Sequence, residues 1–85
     1  MAERNENTFR LVIASVASTR FDGAAVSATL PGEAGEFTLL PHHEPFVTTL
    51  KHGTITVRLG GGDNKEFPID KGVVECSGGR AVVLL

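Results

Sequence analysis

The sequence predicts an all-β fold, a sandwich or barrel of about eight to ten short, mostly antiparallel strands. Three observations predict it. Apolar and polar residues alternate with a period of two, as where Ile55, Val57 and Leu59 point one way and Thr54, Thr56 and Arg58 the other. Turn clusters, most of them containing glycine, separate such segments at intervals of about ten residues. Helical periodicity free of Gly, Pro or β-branched clusters is not sustained over any window of about twelve residues.

Taken in order, residues 1–7 are polar and predict a flexible N-terminus, leaving a single domain over residues 8–85. "TFRLVI" places Phe9, Leu11 and Ile13 on one face of a first strand. "ASVAST" closes at most one helical turn, and "FDG" reads as a turn. "AAVSATL", "EFTLL" and "FVTTLK" are the next strands, punctuated by "PGEAG", "PHHEP" and "KHG". "TITVRL" and "KEFPID" flank the turn "GGGDN". Pro68 lacks an amide donor and so predicts an edge strand or a nitrogen that faces solvent. "GVVECS" and "RAVVLL" complete the set around "SGG", preceded by the turn "DKG".

Composition narrows the function classes. Eighty-five residues make one domain, and a chain this short buries only a little over about 60% of its unfolded surface. With neither Trp nor Tyr, the core must come from five Phe and the many Val, Leu and Ile. The net charge is −2 and no basic stripe is present, which argues against nucleic acid as the main partner. Cys76 is the only cysteine, so no internal disulfide can form and a reducing compartment is the simpler reading. The longest apolar run, Ala81–Leu85, is far short of the roughly 20 residues that span a bilayer. "LVIASVAS" imitates a signal peptide, but Glu3 and Glu6 stand before it beside Arg4 and serine interrupts it. The expectation is a protein neither exported nor embedded.

Each candidate chemistry meets a simpler reading. His42, His43 and Glu44 could ligate a metal, with His52 as a third histidine brought in by folding. Neighbours in an extended chain point to opposite sides, so a polar loop held by Pro41 and Pro45 is the stronger reading. Cys76 lies in an apolar strand, where a cysteine behaves as a small hydrophobe rather than a nucleophile. "GGGDNK" imitates a phosphate loop but lies between two strand patterns, without the following helix that such loops need. Glu33, Glu36 and Glu44 could form an acid–base pair, yet carboxylates in polar turns stay solvated. A nucleic-acid barrel would need basic residues and stacking aromatics on its surface, whereas the phenylalanines fall mainly on presumed inward faces. No catalytic, metal or cofactor residues are therefore expected. The chain reads as a β module that binds protein through its loops or an edge.

"FDG…VSATLPGEAGEFTLLPHHEPFVTTLKHGTITV" also resembles the N-terminal domain of the epsilon subunit family of F-type ATP synthases, delta in mitochondria. The matching residues are Phe21, Gly23, Leu30–Gly32, Gly35–Phe37, Leu40–Pro41, His43, Pro45, Val47–Thr48, Leu50 and Gly53. "DKGVVECSGGRAVVLL" resembles the family's closing hairpin, so the likeness runs from Phe9 to Leu85. His42 and Glu44 replace the family's Gly and Ala in the P-G-H-A-P turn, and Asp70 and Lys71 stand where Ser and Gly are common. A turn that keeps the family's form would hold His42 at positive φ. The family's C-terminal helical hairpin has no counterpart within these residues, so its inhibitory and ATP-binding roles are not carried over.

The resemblance implies a flattened β-sandwich in the rotating central stalk, a non-catalytic subunit that couples the membrane ion-carrying ring to the gamma subunit during proton-driven ATP synthesis. It implies partners in gamma and the ring, no cofactor, and a peripheral place on the cytoplasmic face of the bacterial inner membrane. Glu33, Gly35 and Glu36 match the family's ring-facing loop. Ser15, His43 and Pro45 match its gamma-facing positions. The alternatives are a free-standing β-sandwich adaptor for another protein, and a small metal- or nucleotide-handling enzyme.

Overall fold

Nine strands, and no helix, make up residues 7–42 and 44–85, the part of the chain that a computed structural model describes. They are β1 (Phe9–Ala14), β2 (Thr19–Ala25), β3 (Ser27–Gly32), β4 (Gly35–Leu39), β5 (Phe46–Leu50), β6 (Gly53–Arg58), β7 (Asn64–Ile69), β8 (Gly72–Ser77) and β9 (Arg80–Leu84). Hydrogen bonding runs in the order β2-β1-β9-β8-β5-β3-β6-β7, with β4 on β3. Only the β1–β9 pairing is parallel. The expected all-β sandwich, mostly antiparallel, is the fold.

The curled sheet forms two leaves, β2-β1-β9-β8-β5 and β4-β3-β6-β7, joined at one corner. There Gly32 pairs with Leu50, the Lys51 amide donates to the Pro31 carbonyl at 2.9 Å, and the Glu33 amide donates to the Thr49 carbonyl at 3.1 Å. Inward residues of both leaves meet between them. Leu11, Ile13, Leu30, Leu39, Leu50, Ile55, Val57, Val74 and Val83 are fully buried, and the alternation that predicted β1 and β6 is the alternation observed.

The phenylalanines depart from the expected core. Only Phe9 is buried, and the other four stand half-buried where the leaves come apart. Phe21 of β2 and Phe67 of β7 pack as a tilted pair with ring centroids 5.8 Å apart. Phe37 of β4 and Phe46 of β5 pack edge to face, also at 5.8 Å. In each case the two strands share no backbone ladder, so the rings close a seam that hydrogen bonds leave open. Across the first seam an Arg20 guanidinium N–H also donates to the Pro68 carbonyl at 3.5 Å. That carbonyl faces the open side of β7, and within a strand a residue's N and C=O face the same way. Pro68 therefore sits on an edge with its nitrogen turned outward, as its missing donor requires.

Two local readings change. "FDG" is not a turn but the middle of β2, because Gly23 pairs with Leu11 and Phe21 with Ile13. "AAVSATL" is not one strand. It bends at Val26, where the chain leaves the first leaf and enters the second. The short turns behave as expected, and Gly78 and Gly79, at φ of 58° and 78°, make the two-residue hairpin that joins β8 to β9.

Gly32 occupies the corner where the two leaves join. A Cβ there would lie 2.7 Å from the Gly35 carbonyl oxygen and 2.8 Å from the Phe37 ring, whereas one on Gly60 would meet nothing within 4 Å. Gly32→Ala is expected to cost about 1–3 kcal/mol in urea unfolding, and Gly60→Ala to stay within about 0.5 kcal/mol of the parent.

Candidate functional site

The strand registers sort the loops into two ends. Leu50 pairs with Gly32 and with Gly72, while Leu84 pairs with Val73 and with Ala14. The β1–β2, β3–β4, β5–β6 and β7–β8 connections therefore share one end of the sandwich. Val26, the β4–β5 loop, the glycine loop and the Gly78–Gly79 turn share the other.

Glu33 and Ala34 form the two-residue turn between β3 and β4, closed by the Gly32–Gly35 pair. Glu33, Gly35 and Glu36 are all exposed on the first end, and Gly35 takes a φ of 137° that favours glycine. Ser15 lies at this same end. Its amide donates to the Ser18 carbonyl at 2.8 Å, and its Oγ accepts the Ala17 and Ser18 amides at 3.3 Å each. The hydroxyl thus holds the β1–β2 turn, a structural task, and pushes Val16 fully into solvent. Pro45 is exposed at the opposite end, since it precedes Phe46, which pairs with Cys76 rather than with Gly72. The structure puts Ser15 at the same end as the Glu33 loop and at the opposite end from Pro45. His43 lies outside the described residues.

His42 adopts φ 68°, the left-handed conformation expected if the turn keeps the form its family builds with glycine. His52 lies at the other end, its Nδ1 3.4 Å from the Asp70 carboxylate, with both groups exposed. The topology therefore separates His52 from the His42–Glu44 loop. Among the described residues no three His, Cys, Asp or Glu side chains converge. Cys76 faces the core at 6% exposure, and burial pushes its thiol pKa up. The glycine loop joins the paired strands β6 and β7, with the Leu59 amide bonded to the Asp63 carbonyl at 2.8 Å.

One feature escaped the sequence reading. The outer face of the five-stranded leaf carries apolar residues too: Val12, Val47, Val73, Val82 and Leu84 all point away from the core, with the exposed Glu75 among them, paired with both Val47 and Val82. Val47 is 65% exposed, Leu84 58% and Val73 38%. Charges border it, with Arg10 clasping Asp22 through two bonds of 3.0 Å. The signal was present in "GVVECS" and "RAVVLL", where consecutive rather than alternate apolar residues mark a strand apolar on both faces.

These features define a small β-sandwich whose prominent elements are surfaces and loop ends. Residues 8–85 match the family described as the ATP synthase delta/epsilon chain beta-sandwich domain, and the chain belongs to that family. It is 37% identical over 78 residues to an ATP synthase epsilon chain from Bordetella petrii, covering 91% of this chain and 55% of that one. The chain thus spans about half the length of the curated relative it matches. In fold it is similar to a chain of the Euglena gracilis mitochondrial ATP synthase, described as OSCP/F1/c-ring in rotational state 1. The TM-score is 0.87 at 19% identity, over 96% of this chain and 52% of that one. A chain of the Tetrahymena thermophila mitochondrial ATP synthase central stalk and c-ring gives 0.74 at 8% identity, over 98% and 65%.

Two outcomes follow for the residues with structural tasks. Ser15→Ala removes the acceptor for two turn amides, and urea unfolding should show a loss of about 1 kcal/mol. For Cys76, the folded thiol ionises above its ordinary value of 9.0 while the unfolded thiol ionises at it. The folded state then holds the proton that the unfolded state loses, so stability falls as pH rises past 9.0, and Cys76→Ala should flatten that alkaline decline in urea midpoints.

Proposed function

We propose that this chain acts as a non-catalytic central-stalk subunit of an F-type ATP synthase, coupling rotation of the membrane ion-carrying ring to the gamma subunit during proton-driven synthesis. The observation that carries the reading is the apolar outer face around Val47, Val73 and Leu84. Exposed Val and Leu side chains grouped around a charged residue, Glu75, suit a protein-docking surface. Family membership gives the partners their class.

In this reading the outer face takes gamma, with Pro45 and His43 as further gamma-facing residues. Ser15 contributes by shaping the turn rather than by offering its hydroxyl. Glu33 and Glu36 take the ring, offering exposed carboxylates to basic or amide groups on its polar loops, and Gly35 sets the turn that presents them. ATP chemistry belongs to other subunits, and this domain transmits force without a cofactor. No helix among the described residues is long and apolar enough to cross a membrane. The proposed place is peripheral, on the cytoplasmic face of the bacterial inner membrane, held through the complex.

Size exclusion with light scattering, using gamma from the same organism, should give a stable one-to-one complex. Leu84→Glu should weaken it by at least about tenfold, with little change in the melting temperature of the free chain. Clean separation at micromolar concentration, with both proteins folded, would favour a free-standing adaptor instead. Glu36→Lys should leave gamma binding and the melting temperature unchanged and lower the coupling of ATP synthesis in the reconstituted synthase.

A further inference from the structure

The two seams of the sandwich are not alike. Between β2 and β7, the Phe21–Phe67 pair is reinforced by the Arg20–Pro68 bond, and β7 is blunted by Lys65, Glu66 and Pro68. Between β4 and β5 the Phe37–Phe46 pair lies in an open groove of about 510 Å³, lined by Gly32, Ala34, Glu36, Thr38, Val47 and Thr48 besides the two rings.

Both walls of this groove present unpaired backbone. Gly32 and Gly35 close a two-residue hairpin and so form a hydrogen-bonded pair. By the period of two, Phe37 and Leu39 also bond inward to β3, and Glu36 and Thr38 direct their N–H and C=O groups outward. The close hydroxyl contact of Thr29 with Thr38, at 3.0 Å, fits the non-bonded pair that this register demands. On the other wall, the Thr49 carbonyl points away from β8 to accept the Glu33 amide. Val47, two residues earlier, therefore also directs its backbone groups into the groove. No backbone hydrogen bond joins Glu36, Thr38 or Val47 to another described residue on this side.

We propose that the β4–β5 seam is a strand-acceptor site, which takes an extended segment of a partner polypeptide by pairing with the β4 edge. The segment is apolar at alternate positions, to cover the Phe37 and Phe46 rings, and carries a basic residue opposite Glu36. Charge decides the last point: among the described residues Glu36 is the one charged residue lining the groove, and Glu33 lies beside it in the turn. An acidic segment would meet repulsion there, and a wholly apolar one would leave Glu36 desolvated without a partner. Main-chain bonds would supply affinity and the alternate side chains specificity. This inference deepens the docking reading and rests on it only for which subunit donates the strand.

The test uses the isotope-labelled chain and two short capped peptides, one alternating valine with lysine and one alternating valine with glutamate. The lysine peptide should shift the amides of Glu36, Phe37, Thr38, Phe46 and Val47, and the glutamate peptide should bind about tenfold more weakly or less. Thr38→Pro removes an outward amide at a position where an edge strand tolerates proline, and should abolish binding. Thr38→Val retains the amide and should bind as the parent does. Shifts confined to β2 or β7, equal response to both peptides, or full binding by a folded Thr38→Pro variant would overturn the proposal. Concentration-dependent shifts of the same amides without peptide would also overturn it, by making a second copy the occupant. Because the peptides replace the donor subunit, failure of the gamma complex leaves this result standing, and the reverse holds as well.

Discussion

Backbone hydrogen bonding cannot close this sandwich. Its strands form one curled path with free edges at β2, at β7 and on β4, and the two leaves are joined by a single paired residue, Gly32 of β3 with Leu50 of β5. Two phenylalanine pairs bridge the gaps. Such a pair contributes about 0.5–1.5 kcal/mol beyond the area it buries. That is a large share for a small domain, whose whole stability is of the order of 5 kcal/mol. The corner needs equal care, since Gly32 must lie against Gly35 and Phe37 with no side chain of its own. Closure by side chains rather than by ladder is what leaves usable edges on the outside.

The same constraint explains which parts of the fold were legible in the sequence. Strands with one buried face, such as β1 and β6, announce themselves by alternation, because burial alone decides their pattern. β2 was hidden, since "FDG" has the composition of a turn and only its pairing with β1 makes it a strand. The bend at Val26 was hidden for the opposite reason: an apolar run continues unbroken across the passage from one leaf to the other. No local rule marks a point set by the packing of distant strands. Hydrophobicity alone predicts core positions for the phenylalanines, whereas four of them stand half-buried at the seams.

The candidate site was legible to different depths. Proline and glycine placed the Glu33–Gly35 turn well, and the left-handed His42 followed from the turn form. Grouping was the weak point. Ser15 and Pro45 fall at opposite ends because strand direction and register, rather than sequence motif, decide which loops meet. The apolar outer face was visible as consecutive valines but lacked meaning until the sheet showed that one valine of each pair faces outward. The nine-stranded sandwich thus presents separate surfaces on its loops and on its outer face.

Side chains, and not backbone bonds, close the β4–β5 seam. Residue-resolved amide hydrogen exchange on the isolated chain tests it most directly. Fast exchange is expected at Glu36, Thr38 and Val47, alternating with slow exchange at Phe37, Leu39 and Thr48. Uniform protection through β4 and β5 would mean instead that the seam is zipped by hydrogen bonds.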